Sequence, residues 1–398
     1  MKLVNTLFKK FPFFFLLGMS LVSCNKIDNF MLGKDNTPAP AQLESFKPTL
    51  EVSPLWEANA GSGTKGSRLE MSPALDSQSV YTADIKGRIM AFDRATGKKL
   101  WETDLDKKNS YNQILSGPAV GEGILAVTNK DAQLIVFSTS TGEKMWQKTL
   151  SNEVLAPPTI AESKVFVKTV DGNLTAFDAQ SGNKVWTYSH GTSPLIMRAG
   201  SSAQTLFGIV IAGFSDGKLV GLRADTGQIL WEKSMATPEG ANDVARMADI
   251  DANPIISDSV VYVASYQQNI SAMSLQTGEI LWKKDNISTF NNMALDSQAL
   301  YAVDEESIIW AIERNSGTIL WKQKDFHNRR LTSPSVVDGK ALVFGDYQGY
   351  VSWISLEDGH AIARLRSSSN PITVEPVIDS NQVYVLSSDG TLTAYQVQ

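Results

Sequence analysis

The sequence predicts an all-β fold, an eight-bladed β-propeller of four-stranded antiparallel blades whose ring is closed by the N-terminal strand. The first observation is a repeat with gaps of 39 to 51 residues, each marked by an apolar strand with tryptophan at the same place. The second is a set of strands with alternating apolar and polar residues before each tryptophan strand. The third is a last unit that lacks its fourth strand. The seven repeated tryptophans are Trp56, Trp101, Trp146, Trp186, Trp231, Trp282 and Trp321, with Ala363 at the eighth position.

The marked strand is the fourth of each unit, strand D, and a glycine turn precedes it. Six turns are near copies of one another, from TGKKLW at 96–101 to SGTILW at 316–321, whereas DGHAIA at 358–363 has diverged. Glycine supplies the positive φ that a tight hairpin turn requires. Each turn therefore predicts a hairpin between strands C and D.

Strands A, B and C lie upstream of each turn. Eight segments such as GRIMAFD at 87–93 and GNLTAFD at 172–178 alternate with period two and predict strand C. Before them comes a strand led by proline, a turn and a second apolar strand, as in NPIISDSVVYVAS. Proline is tolerated at a strand start because no amide donor is needed there, so these segments predict strands A and B.

The last unit ends at Gln398 with strand C, while SPLWEANA at 53–60 is a strand D without preceding partners. We therefore expect the N-terminal strand to complete the last blade. Residues 52–398 give about 43 residues for each of eight blades, which is typical of a propeller. The predicted domains are a signal peptide at 1–23, a lipidated N-terminus and flexible tether at 24–51, and the propeller at 52–398.

The N-terminus predicts export. Lysines precede a short apolar run from Phe11 to Val22 that is typical of a signal peptide rather than of a spanning helix. Cys24 is the only cysteine, so it has no partner for a disulfide within the chain. The sequence Leu-Val-Ser-Cys resembles the bacterial lipobox, which implies that lipid such as palmitate is attached to Cys24. Asn25 in place of aspartate points to the outer membrane.

Charge and composition argue against several classes of function. The formal charge of the chain is −6, and residues 1–23 hold three lysines and no acid, so the remainder carries −9. That charge disfavours nucleic acid as a partner. The three histidines, His190, His327 and His360, lack metal-ligand spacing, and we expect all three in polar loops, with His190 and His360 facing solvent.

The blades also resemble those of pyrroloquinoline-quinone enzymes, so a quinone-dependent dehydrogenase is the alternative function. Such enzymes are usually longer, bind calcium beside the quinone and often carry adjacent cysteines, which this chain lacks. The acids at Asp249–Asp251 and Asp304–Glu306 do not fit a calcium loop and have no activated nucleophile beside them. We therefore predict no catalytic residue, no metal site and no cofactor.

The repeat is interrupted in two successive D-to-A connections, at 189–204 and at 235–254. Insertions in repeat proteins often lie on one binding face, and all D-to-A connections emerge on one face of a propeller. We therefore expect Leu195, Met197 and Arg198 to lie near Asp249 and Asp251. Exposed apolar residues beside an arginine suit a protein partner, although Arg198 could also simply pair with one of the aspartates.

Three stretches, SPLIMRAG at 193–200, RMADIDANP at 246–254 and RRLTSPSVVDGKALVFGDYQGYVSWISLEDG at 329–359, are similar to the BamB family, lipoproteins of the outer-membrane β-barrel assembly machinery. The similarity covers essentially the whole mature chain. Met197 stands where leucine is more usual in that family, a change that keeps an apolar side chain of similar volume.

The resemblance implies a scaffold without chemistry, anchored by lipid at the periplasmic side of the outer membrane. It implies that the loops holding Leu195, Met197, Arg198, Asp249 and Asp251 bind the periplasmic POTRA region of BamA, alongside other subunits of the machinery. Unfolded outer-membrane proteins are a further candidate partner, because the outer strand of each blade has an edge that an extended peptide can pair with.

Overall fold

The computed structural model describes residues 38–65, 67, 69–105, 113–192, 200–235, 248–266, 268–337 and 339–398. Within these ranges the regular structure is entirely β, in 32 strands. None of the described segments is a helix long and apolar enough to cross a membrane. The predicted signal peptide and Cys24 lie outside the described residues.

The strands form eight four-stranded sheets, and each sheet is one blade. Strand A has two or three residues except in blade 2, strands B and C are largely buried, and in most blades strand D is exposed apart from the position of its tryptophan. Blade 1 comprises β2 (Ala74–Leu75), β3 (Ser79–Ala83), β4 (Arg88–Asp93) and β5 (Lys99–Asp104). Blade 2 comprises β6 (Ile114–Gly121), β7 (Ile124–Asn129), β8 (Gln133–Ser138) and β9 (Lys144–Thr149). Blade 3 comprises β10 (Thr159–Ala161), β11 (Lys164–Lys168), β12 (Asn173–Asp178) and β13 (Lys184–Ser189).

The next three blades repeat this order. Blade 4 comprises β14 (Gln204–Leu206), β15 (Ile209–Gly213), β16 (Lys218–Arg223) and β17 (Ile229–Ser234). Blade 5 comprises β18 (Ile255–Ser257), β19 (Val260–Ser265), β20 (Asn269–Ser274) and β21 (Ile280–Asp285). Blade 6 comprises β22 (Ala294–Leu295), β23 (Ala299–Val303), β24 (Ile309–Glu313) and β25 (Ile319–Gln323).

The last two blades complete the ring. Blade 7 comprises β26 (Ser335–Val337), β27 (Ala341–Gly345), β28 (Tyr350–Ile354) and β29 (Ala361–Arg366). Blade 8 comprises β30 (Val377–Asp379), β31 (Gln382–Leu386), β32 (Thr391–Val397) and β1 (Val52–Asn59). Strands β1 and β32 pair antiparallel from Val52 opposite Val397 to Asn59 opposite Thr391. The predicted eight-bladed propeller, closed by the N-terminal strand, is confirmed.

Each tryptophan of strand D fastens its blade to the next one. The indole Nε1 of Trp186 in blade 3 donates to the carbonyl oxygen of Ala224 in blade 4 at 3.0 Å, and Trp231 does the same to Leu275 in blade 5 at 2.8 Å. All seven tryptophans make this bond to the C–D turn of the following blade. The repeat that identifies the fold therefore also joins its blades.

The turn glycines make this packing possible. Gly227 adopts φ +71°, and a methyl group on its α-carbon would lie 2.6 Å from Cδ2 of Trp186. Real Cβ atoms do not approach a ring so closely, so any other residue would push the indole out of place. The turn glycine is thus required twice, for its backbone conformation and for the ring that rests on it.

Alanine at position 363 follows from how the ring closes. A tryptophan there would have to dock on the C–D turn of blade 8, but strands C and D of that blade are β32 and β1, which no hairpin joins. Instead, Leu50 and Val52 pack against a buried cluster that includes Ala363. A tryptophan at position 363 would therefore have no C–D turn to bond to at the junction of blades 7 and 8.

Residues 41–50 run along the outer side of blade 7 from the D-to-A connection of blade 6. The amide of Ala41 donates to His327 O at 2.9 Å, and the amides of Thr49 and Leu50 donate to Ile362 O at 2.9 and 3.2 Å. Between these points the guanidinium of Arg364 lies over the ring of Phe46. We call residues 41–50 the N-terminal segment.

Candidate functional site

The candidate site lies on the face of the ring that carries the D-to-A connections and the B–C turns, which we call the D–A face. Asp249 and Asp251 lie there, in the irregular residues before β18. Leu195, Met197 and Arg198 lie outside the described residues, so their contact with the two aspartates stays a prediction.

The segment around Ile250 is held between blades 4 and 5 by hydrogen bonds to its backbone carbonyl oxygens. Ser201 Oγ donates to Ile250 O at 2.8 Å, and the amide of Tyr266 donates to Asp249 O at 2.9 Å. Ile250 is buried against Gly213, where a methyl group would lie 2.4 Å from Cγ2 of Ile250. Asp249 and Asp251 flank this buried residue along the chain.

Both aspartates are buried, with 3% of their surface exposed. The Oδ2 atom of Asp251 has no hydrogen-bond partner within the described ranges. Burial raises the pKa of Asp251 to about 6, and the ammonium of Lys168 lowers that pKa in part. Asp251 is therefore not the solvent-facing contact residue that a loop position suggests, because it belongs to the interior of the D–A face.

Lys168, at the end of β11, lies beside these aspartates. Its Nζ donates to Ser201 Oγ at 2.9 Å and to Gly213 O at 2.6 Å. Burial lowers the pKa of Lys168 to about 8, and the carboxylates of Asp251, Glu70 and Asp249 oppose that shift. A cavity of about 50 Å³ opens between Lys168, Phe214 and the Asp249–Asp251 segment, which is room for a few water molecules.

Two further acids belong to this charged interior. Burial raises the pKa of Glu70, and the charges of Glu375 and Asp251 raise it further. Burial also raises the pKa of Glu375, although Asn292 Nδ2 donates to its Oε2 at 3.1 Å. Sequence reasoning missed Glu70, Lys168 and Glu375; the available signal was an acid just before a proline-led strand A, and a lysine ending an otherwise apolar strand B.

Of the two histidines expected to face solvent, the structure confirms one. His360 is exposed in its turn, as predicted, beside Asp358. His190 is largely covered: its ring stacks on Phe214 at 4.3 Å, and its Nε2 lies 3.0 Å from Asp216 Oδ2. The expectation of a solvent-facing His190 was wrong because the neighbouring blade supplies an aromatic ring that covers it. In the part of the chain that the structure describes, no three His, Cys, Asp or Glu side chains could together hold a metal ion.

Comparison with known proteins identifies the family. A family model described as outer membrane protein assembly factor BamB matches residues 53–111, 86–323 and 314–398. The outer membrane protein assembly factor BamB of Legionella pneumophila is 41% identical over 94% of this chain and 96% of its own length. That of Alkalilimnicola ehrlichii is 46% identical over 86% of this chain and 88% of its own length.

Solved structures agree on the fold. BamB from Moraxella catarrhalis superposes with a TM-score of 0.78 at 23% identity, covering 87% of this chain and all of the other. A quinohemoprotein alcohol dehydrogenase from Comamonas testosteroni superposes with a TM-score of 0.68 at 12% identity, covering 87% of this chain and 76% of the other. A likeness at such identities shows the architecture alone, which enzymes and scaffolds share.

The curated relatives separate those two classes, because they are assembly factors and are 41% and 46% identical to this chain. The interpretation of the chain as a non-enzymatic protein is thereby confirmed, against the alternative of a quinone-dependent dehydrogenase. The chain belongs to the BamB family of outer membrane protein assembly factors.

Proposed function

We propose that the chain is a scaffold lipoprotein of the outer-membrane β-barrel assembly machinery. Lipid on Cys24 holds it at the periplasmic side of the outer membrane, and its D–A face binds the POTRA region of BamA, next to other subunits of the machinery. Through this contact it assists the folding and insertion of outer-membrane proteins. Family membership supports the general role, and the D–A face supports the mode of binding.

The fixed Asp249–Asp251 segment is the observation that carries the binding site. Backbone bonds from blades 4 and 5 position it before any partner arrives. A surface ordered in advance loses less conformational entropy on binding. Leu195, Met197 and Arg198 supply the apolar anchors and the guanidinium that a protein contact uses.

Charge reversal tests this site. Arg198→Glu should abolish co-purification with the POTRA region of BamA. The guanidinium of an interface arginine donates directional hydrogen bonds, whereas a carboxylate donates none and has the opposite charge. The matched control is Arg223→Glu, since Arg223 is exposed at the C–D end of blade 4 and pairs only with Asp225 within the described residues. Equal binding by both folded variants would argue against the D–A face.

The lipid anchor has its own test. Cys24→Ala should lose labelling with radioactive palmitate and should leave the membrane fraction, because no other cysteine can take the lipid. Retention of the label would place the lipid elsewhere.

A second candidate role, binding of unfolded outer-membrane proteins, is favoured by the outer strands. Seven D strands carry an exposed apolar residue just before the tryptophan, with 41% to 56% of its surface exposed: Leu55, Leu100, Met145, Val185, Leu230, Leu281 and Leu320. In each of these strands this residue is the extra one of a β-bulge. At the eighth such position, Ile362 is covered by the N-terminal segment, an extended peptide.

Site-specific photocrosslinking tests this role. A crosslinker at Leu281 should capture unfolded outer-membrane proteins, whereas one at Gln276, exposed in the adjacent C–D turn, should not. Equal capture from both positions, or none from Leu281, would contradict a role for the strand edges.

A further inference from the structure

The N-terminal segment determines where the chain leaves the ring. At its start Ala41 is bonded on both sides, since its amide donates to His327 O at 2.9 Å and its carbonyl accepts from Arg329 Nη1 at 2.8 Å. Both partners belong to the D-to-A connection of blade 6. The part of the chain that is bound to the ring therefore begins at the D–A face, at the junction of blades 6 and 7.

This exit point is rigid because its arginine is buried. Arg329 forms an ion pair with Asp346 at 2.5 Å, and 2% and 4% of the two side chains are exposed. The amide of Tyr347 also donates to Arg329 O at 3.3 Å, which joins the D-to-A connection of blade 6 to the B–C turn of blade 7. The chain thus leaves from a fixed place on the ring.

Exposed cationic and aromatic side chains surround the exit. Arg330 is exposed with its guanidinium 5.0 Å from the ring centre of Tyr347, a side chain with 44% of its surface exposed. Arg366 is exposed at the end of β29, with its guanidinium 5.6 Å from the ring centre of Tyr350. Among the described residues neither arginine forms an ion pair. We call Arg330, Tyr347, Tyr350 and Arg366 the exit rim.

Acids are common in the other B–C turns of the D–A face, although Lys86 and Lys130 are exposed in those of blades 1 and 2. The B–C turns of five other blades carry accessible acids, which are Asp131, Asp171, Asp216, the pair Glu305 and Glu306, and Asp389. The corresponding turn of blade 7 holds Tyr347 and Gln348, and its one acid, Asp346, is neutralised by Arg329. An anionic surface would therefore be repelled by these acidic turns and attracted to the exit rim.

The length of the intervening chain sets an upper limit on the distance between that rim and the anchor. Sixteen residues lie between Cys24 and Ala41, and the seventeen steps from one to the other, fully extended, reach at most about 60 Å. Arginine guanidinium groups bind phosphates, and tyrosine is enriched at the membrane–water interface. The exit rim therefore combines two kinds of side chain suited to a lipid surface at the point where the chain leaves the ring.

We propose that the exit rim binds the phosphates of anionic lipids in the leaflet that holds the Cys24 anchor, so that the ring rests on the membrane by the blade 7 side of its D–A face. The inference rests on the lipid attachment in the proposed function. It leaves the Asp249–Asp251 region, between blades 4 and 5, at the other side of the same face for a protein partner.

Depth-sensitive quenching tests the orientation. The full-length lipidated protein is reconstituted in vesicles of phosphatidylethanolamine and phosphatidylglycerol that carry nitroxide-labelled lipid. A fluorophore is attached at Ser369→Cys, exposed beside the rim, or at Glu357→Cys, exposed in the C–D turn of the same blade. We expect quenching severalfold stronger at position 369 than at position 357.

Charge reversal separates lipid binding from simple proximity. Arg330→Glu with Arg366→Glu should reduce quenching at position 369 to the level at position 357, as should vesicles of phosphatidylcholine alone. The control Arg223→Glu with Lys233→Glu changes the net charge equally at exposed sites on blade 4 and should leave the difference intact. Equal quenching at both positions, or indifference to the rim substitutions, would overturn the inference.

Flotation of the vesicles distinguishes this result from a failure of the proposed function. Protein that floats with the vesicles but shows equal quenching contradicts the exit rim alone. Protein that carries no lipid and does not float contradicts the anchor and, with it, the orientation.

Discussion

The indole of Trp186 rests on Gly227 of the following blade, so close that a single methyl group would lie 2.6 Å from the ring. The same contact joins Trp101 to Gly142 and Trp231 to Gly278, with nearly identical distances. At seven of the eight junctions a blade is therefore fixed to the next by one bulky ring and one residue without a side chain.

Gly227→Ala should destabilise the ring well beyond the cost of its backbone conformation. Gly208 in the same blade is the matched control, because it has nearly the same φ, +74° against +71°, but open space where the methyl group would stand. We expect about 1 kcal/mol of lost stability for Gly208→Ala and about 2–4 kcal/mol for Gly227→Ala, since overpacking adds to the strain. Urea unfolding followed by circular dichroism measures both; equal losses would contradict the packing role of the glycine.

Trp186→Phe should show what the indole hydrogen bond contributes. The substitution removes the Nε1 donor and leaves the carbonyl of buried Ala224 without that bond. Trp353 provides the comparison, because it is fully buried and its Nε1 has no partner among the described residues. We expect Trp186→Phe to cost about 1–2 kcal/mol more than Trp353→Phe in the free energy of unfolding. A larger loss at Trp353 would show that ring volume, rather than the bond, dominates.

The buried acids predict a pH dependence of stability. The folded pKa of Asp251, about 6, lies above its ordinary 3.8, so the folded chain binds more protons than the unfolded chain between about pH 4 and pH 6. The free energy of unfolding should therefore fall as pH rises through this window. Lys168 affects stability at higher pH, because its pKa is lowered from 10.5 to about 8 in the folded chain. Its contribution to the free energy of unfolding is fully present above the ordinary pKa and is lost as pH falls through 8.

Asp251→Asn should flatten the acid part of this profile and stabilise the ring at about pH 7 by up to roughly 3 kcal/mol, since no buried carboxylate has to ionise. The control is Asp225→Asn, because Arg223 lowers the pKa of that exposed carboxylate and gives a dependence of the opposite sign. Urea midpoints at about pH 4 and about pH 7 provide the measurement. An unchanged profile in Asp251→Asn would mean that Asp251 is not the titrating group.

Arg329→Met should both destabilise blade 7 and release the N-terminal segment. Removing one member of a buried ion pair leaves an uncompensated charge on Asp346, which costs about 3–5 kcal/mol, and Ala41 loses its guanidinium donor. Limited proteolysis should then cleave within residues 41–50 faster than in the parent protein. Adding Asp346→Asn should restore part of the stability without restoring protection of Ala41; full restoration of both would show that the segment is held elsewhere.

The architecture was predictable because its main signals are local. The tryptophan, the turn glycine and the alternating strands each lie within one unit of the sequence. The reason for Ala363 was not predictable from that residue, since it depends on β32 and β1 meeting across the ring. The interruption of the repeat led to Asp249 and Asp251, but it could not reveal that blades 4 and 5 bury them.

The charged interior was harder to foresee for a related reason. Glu70, Lys168 and Glu375 come from blades 1, 3 and 8, and only the circular order of the sheets brings their charges together. A burial pattern read along one strand reports nothing about charges contributed by distant strands. Their pKa shifts therefore needed the structure.

The pairing of β1 with β32 has a consequence for biosynthesis. Among the strands of the ring, the ribosome makes β1 before the others and β32 after them, so β1 has no partner until β32 is complete. Blades 1 to 7 can each form from consecutive residues as they emerge, but the eighth has to wait. A truncated translation product cannot close, and its open end leaves an unpaired strand for quality-control proteases to recognise.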